Sequence, residues 1–140
     1  MSWALYAFLS AFFAALTAIL AKIGVKNIDS NLATAVRTVV ILLFAFGIVW
    51  YQGTIRSLPS ISKHTALFLV LSGIATALSW LFYFKALQLG QANQVAPIDK
   101  LSLIMTIFLA ALFLGEKFTL PILAGGALMT AGALIITFVK

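Results

Sequence analysis

Residues 94–116 read QVAPIDKLSLIMTIFLAALFLGE, and this stretch decides the fold. From 101 to 115 it carries no charge, so it is suited to hydrocarbon. Just before that run stand Pro97, Asp99 and Lys100. A charge at the centre of a membrane helix costs about 2.5–3.5 kcal/mol on translocon-type scales. A carboxylate and an ammonium at the mouth of an apolar run therefore point to a partner helix or a wet cavity.

The composition agrees. Of 140 residues, 64% are hydrophobic and only 9% charged. Soluble domains carry about 25% charged residues, so lipid must be the main solvent here. Cysteine is absent, which removes disulfides, thiolate chemistry and Cys-based metal sites. The net charge of +6 is spread singly between apolar runs, unlike a nucleic-acid face. Lys and Arg flanking membrane spans explain it better. No HExxH, GxSxG or Walker loop occurs, and there is one His and three carboxylates in the chain. No enzyme activity, cofactor or metal is expected.

Working outward, five apolar segments emerge at about 3–21, 32–51, 65–89, 94–114 and 120–139. Each is near the ~20 residues that cross about 30 Å of hydrocarbon. Helices are the open-chain solution, since each backbone donor must be satisfied within its segment. The expected fold is an all-α membrane protein with five transmembrane helices in a single domain, 1–140. The first segment lacks a basic n-region and reads as a retained span, with Trp3 and Tyr6 in an interfacial belt. Lys26, Asn27, Asp29 and Ser30 read as turn and cap residues before the second helix.

An odd number of spans puts the termini on opposite sides. Arg56, Lys63 and Lys117 flank the N-terminal side, and Lys22, Lys26 and Lys140 the other. Arg37, Lys85 and Lys100 lie inside helices nearer the second side; if they count, the C-terminus is cytoplasmic. The near balance also allows insertion in both directions.

Arg37, Lys85, Asp99 and Lys100 form one charged layer near the second side, three bases and one acid, summing to +2. Polar faces accompany it. Asp99, Ser102 and Thr106 share one helical face, as do Thr34, Arg37 and Thr38. Ser72, Thr76, Ser79, Trp80 and Tyr83 make a polar and aromatic stripe, and Ser10 and Thr17 sit a heptad apart. Four helices thus offer polar faces to a shared aqueous cavity. Simpler readings stand beside this one. Arg37 and Asp99, expected as the coupled charged pair of the site, read equally well as a buried structural ion pair. Lys85 snorkels; Lys100 has the same alternative. Ser and Thr bond their own i−4 carbonyls. Glu116 and Lys117 form a solvated turn, and His64 is interfacial. Pro97 sits near a helix start, where a missing donor matters least, or else kinks the helix. On the fifth segment Ala124, Ala127 and Ala131 share a face, and Gly125 and Gly132 are a heptad apart. Small residues allow close helix approach, either within the chain or in self-association.

The stretch FYFKALQLGQANQVAPIDKLSLIMTIFLAALFLGEKFT resembles the EamA-type unit of the drug/metabolite transporter superfamily. The features are the KALQLG end of the third helix, the Ala-Pro opening of the fourth, the Leu-Gly-Glu-Lys closure and the Gly-rich fifth helix. AKIGVKNIDSNLATAVR fits the same unit. Most members have ten helices, built as two inverted five-helix repeats. This chain has the length of one repeat, so the resemblance implies a homodimer, antiparallel as in the four-helix small multidrug resistance branch. It lacks that branch's acidic residue in the first helix, which argues against export of polyaromatic cations.

The resulting expectation is a multi-pass protein of the inner (plasma) membrane: a non-ATP secondary transporter of small metabolites. Its partners would be a second copy, membrane lipid and a solute, with no nucleic acid. The substrate-binding residues would be Arg37, Asp99, Thr34, Thr38, Thr76, Ser79, Trp80, Tyr83, Ser102, Thr106 and Lys100. The rival readings are a flippase for a lipid-linked, phosphate-bearing carrier, and a non-transporting assembly subunit.

Overall fold

Long apolar runs leave the backbone one way to satisfy itself. In the computed structural model, which describes residues 2–138, they form helices. These are α1 (Trp3–Gly24), α2 (Ser30–Tyr51), α3 (Lys63–Leu89), α4 (Ala92–Asp99), α5 (Ser102–Leu114) and α6 (Leu120–Phe138). A 3-10 helix, Thr54–Ser60, lies in the longest polar break. Five stretches are long and apolar enough to span a membrane, α4 and α5 together making the fourth. No more than 11% of any span's most apolar window is buried, so lipid or another chain must cover the rest. The chain is an all-α membrane protein.

Helix ends follow local chemistry. The Asp29 carboxylate accepts from the Asn31 and Leu32 amides at 2.9 and 3.1 Å, capping α2 as its residue type predicts. Gly115 ends α5 at φ 70°, a conformation glycine adopts without steric cost. α2, α3 and α4 each begin two residues before the expected points, and α1 runs past Lys22 to Gly24. Val139, expected as the last helical residue, and Lys140 lie outside the described residues.

The fourth span corrects the reading of one continuous helix over 94–114. It breaks at Lys100 and Leu101. There the Leu101 amide reaches the Ile98 carbonyl at 3.0 Å, and the Leu103 amide reaches that of Lys100 at 3.0 Å. These i→i−3 bonds tighten the turn and separate two α-helical segments.

Contacts divide the chain into two compact units, residues 20–88 and residues 1–19 with 89–140. In the 20–88 unit the buried residues are Ala21, Val25, Ser30, Thr34, Phe84 and Leu87. They come from the last turn of α1, the loop after it, the first turns of α2 and the last turns of α3. Neighbouring helices tie these ends together. The Lys22 ammonium donates to the Leu87 carbonyl at 2.6 Å. The Gln88 amide donates to the carbonyls of Val25 at 3.3 Å and Ile28 at 2.8 Å. Free carbonyls at a helix end need such partners.

In the other unit α6 packs on α4 and α5. Gly126 and Ala133 are its buried residues on α6. A Cβ at Gly126 would stand 2.9 Å from the Ile104 Cδ1, whereas Gly125 and Gly132 have open space. The close approach within this unit therefore uses Gly126, and the heptad pair Gly125 and Gly132 takes no part in it. The Thr137 hydroxyl lies 2.8 Å from the Ala133 carbonyl and 3.3 Å from that of Gln94, which ties α6 to the first turn of α4.

Candidate solute site

The expected site residues fall into two groups. Thr34, Arg37, Thr38, Thr76, Ser79, Trp80 and Tyr83 belong to the 20–88 unit; Asp99, Lys100, Ser102 and Thr106 belong to the other.

In the first group α2 and α3 bring Arg37 against aromatic rings. The guanidinium carbon lies 4.5 Å from the Trp80 ring centroid and 5.0 Å from that of Phe84. Tyr83 packs edge-on to Phe84, with centroids 6.3 Å apart. Each ring under a cation contributes about 0.5–2 kcal/mol. Two rings together are comparable to the roughly 2.5–3.5 kcal/mol cost of a charge at the centre of a membrane helix. The rings hold the guanidinium in place without pairing its N–H donors.

The depth of this group follows from helix rise. Arg37 is seven residues beyond Ser30, the start of α2, so about 10 Å into the helix. Trp80 and Phe84 precede Leu89, the end of α3, by nine and five residues, about 13 and 7 Å. The guanidinium lies against both rings, one on each side of Arg37 in depth.

The hydroxyls around it are bonded to their own helices. Thr34 donates to the Ser30 carbonyl at 2.9 Å, and Thr38 to that of Thr34 at 2.8 Å. Thr76 donates to the Ser72 carbonyl at 2.9 Å. With its proton committed, each hydroxyl offers only lone pairs to a solute. Thr34 is buried, Trp80 and Tyr83 are half-buried, and Thr38, Thr76 and Ser79 are exposed. Lys85 bonds Gln88 Oε1 at 3.1 Å and serves the helix-end junction.

In the second group the Asp99 carboxylate lies 3.3 Å from the Lys100 ammonium, where α4 ends. A cation beside a helix C-terminus is favourable, whereas a lone carboxylate there is not, so Lys100 offsets Asp99 locally. Ser102 opens α5, and Thr106 donates to its carbonyl at 2.8 Å. Both are exposed. α5 and α6 also enclose an apolar groove of about 480 Å³, lined in part by Ile104, Ile107, Gly126, Ala127 and Ala131.

Phe84 was not expected at the site. Its signal was present, because residues 80 and 84 stand one above the other on a helix. Lys22 and Gln88 carried no comparable signal, because their partners are backbone carbonyls.

The profile of the EamA-like transporter family matches residues 1–138. The chain belongs to that family. It is also 52% identical over 135 residues to a Sinorhizobium sp protein named "Uncharacterized transporter in cobO 3'region", covering 96% of each chain. No solved structure matches it. This EamA-like chain has the length of a single repeat, and charged and aromatic groups stand inside its spans.

Proposed function

We propose that the chain is half of a secondary transporter of small metabolites. It works as an antiparallel homodimer in the inner membrane, by alternating access and without ATP. It is a carrier and not an enzyme. The observation that carries this reading is Arg37, held inside a membrane helix by Trp80 and Phe84 in a single-repeat chain of a transporter family.

The solute site comprises Arg37 with Thr34, Thr38, Thr76, Ser79, Trp80 and Tyr83. In the other unit Asp99, Lys100, Ser102 and Thr106 make a polar face of their own. Inverted-repeat carriers place their sites at the repeat interface and build them partly from discontinuous helices. The interruption at Lys100 and Leu101 supports that role for the fourth span. The matching flanking charge, Arg56, Lys63 and Lys117 against Lys22, Lys26 and Lys140, supports insertion in both directions. The groove that Ala127 and Ala131 line is the proposed contact between copies.

The test has two parts. A ligand-stabilisation screen on purified protein should yield hits, and a hit should enter proteoliposomes against a sealed control. The chain has no cysteine, so Ala127→Cys provides a single cross-linking site. Disulfide-linked dimers in membranes are expected. A strictly monomeric protein that moves no hit would overturn the reading.

A further inference from the structure

We propose that the transported solute supplies the anion that Arg37 lacks within its own unit, and that the solutes of this site are organic carboxylates with a flat apolar body. This rests on the transporter reading above and names its substrate class.

The chain has three carboxylates. Asp29 is committed to the α2 amides of Asn31 and Leu32. Asp99 has Lys100 beside it at 3.3 Å. Glu116 lies in the turn after α5, at the opposite end of that helix from Asp99, next to Lys117. Within the 20–88 unit the only carboxylate is that of Asp29, two helical turns before Arg37.

Arg37 stacks on its rings, and within its unit none of its N–H donors meets an acceptor among the described residues. Stacking occupies the face of a guanidinium and leaves the edge, which is the fork that binds a carboxylate bidentately. Thr34 and Thr38 cannot compete for the anion, because both donate to their own helix. They instead suit a donor elsewhere on the solute. Trp80 is only half-buried, which leaves apolar surface beside the fork for a flat body.

The experiment uses one carbon frame at three charges: phenylacetate, phenylacetamide and 2-phenylethylammonium. Trp3→Phe and Trp50→Phe leave Trp80 as the single tryptophan reporter; both replaced residues are exposed, at 84% and 76%. Trp80 emission is titrated in phosphatidylcholine nanodiscs. Phenylacetate should bind at least tenfold tighter than the amide, and the ammonium should not compete. Arg37→Gln should reduce phenylacetate to the level of the amide, and Arg37→Lys should keep part of the difference. Equal affinity for acid and amide, or preference for the ammonium, overturns the proposal on the reporter protein itself, whatever the Arg37 variants do. Loss of phenylacetate binding when one third of the lipid is phosphatidylglycerol also overturns it, since the anion would then be a lipid headgroup. Uptake of a cationic or neutral hit would sink this inference and leave the transporter reading standing. Acid-selective, Arg37-dependent binding without uptake of any hit would do the reverse.

Discussion

Two junctions in this molecule treat unpaired helix-end groups in opposite ways. Where α1 and α3 end, long polar side chains cross to the neighbouring backbone. Lys22 takes the Leu87 carbonyl, and Gln88 takes those of Val25 and Ile28. Where α4 gives way to α5, the chain bonds to itself through shortened turns. The first arrangement ties together segments 60 to 65 residues apart in sequence. The first is a clasp between distant segments. The second joins two helical segments by local bonds alone, and α6, packed on both α4 and α5, supplies their tertiary contact.

Removing the clasp is expected to have the largest effect. Bonds from a charged donor contribute about 1.5–3 kcal/mol and neutral ones about 0.5–1.5 kcal/mol. Lys22→Met combined with Gln88→Leu removes one charged and two neutral bonds and should lower stability by about 2.5–6 kcal/mol, read as a fall in Tm of the purified protein. A loss under 0.5 kcal/mol would show that water replaces these donors and that the clasp fixes nothing. In the other unit, Gly126→Leu should cost about 1–3 kcal/mol, because its side chain must displace Ile104 from the α5–α6 contact. Gly126→Ala should cost less, since only the flexible tip of Ile104 has to yield. Equal Tm for Gly126→Leu and Gly125→Leu would show that the close approach is elsewhere.

A third measurement bears on the charges in the two units. If a solute carboxylate is the anion of Arg37, a double-mutant cycle of Arg37→Ala and Asp99→Ala is additive within about 0.5 kcal/mol. Coupling above about 1 kcal/mol would make Asp99 the counter-ion of Arg37 and leave no place there for a solute carboxylate.

What could be read from the residues divides along the same line. Five spans were legible, because run length and missing charge are properties of a single segment. So was the Asp29 cap, because the residue that caps stands beside the amides it serves. The clasp was not legible, because a carbonyl acceptor has no residue type to read. Gly126 was hidden for a related reason. Spacing shows which glycines share a face, but not which face meets a neighbour. Arg37 was singled out by its charge, and Trp80 by its place in a stripe. That α2 sets one over the other is tertiary information. The residues at the interruption of the fourth span were marked by Pro97, Asp99 and Lys100, but its position was not.

The smallest expected effect concerns that position. Proline lacks the N–H that would bond four residues back, so Pro97 leaves the Asn93 carbonyl without its usual donor. Asn93 lies in the first turn of α4 and is exposed, where such a loss matters little. The interruption falls downstream. Its bonds run from the Lys100 amide to the carbonyls of Ala96 and Pro97, both at 3.2 Å, and from the Leu101 amide to that of Ile98. None of them uses the nitrogen of residue 97. Pro97→Ala should therefore add one bond upstream, change stability by no more than about 0.5 kcal/mol, and leave the interruption in place. Hydrogen exchange reads this directly. The amides of Lys100, Leu101 and Ser102 should exchange faster than those of Ala110 and Ala111 in α5, equally in both proteins. If the substitution slowed them to the rate of mid-α5, the proline would be the cause of the break. The fourth span would then be one helix bent by a single residue, and the adjacent Asp99 and Lys100 would have no part in setting where it yields.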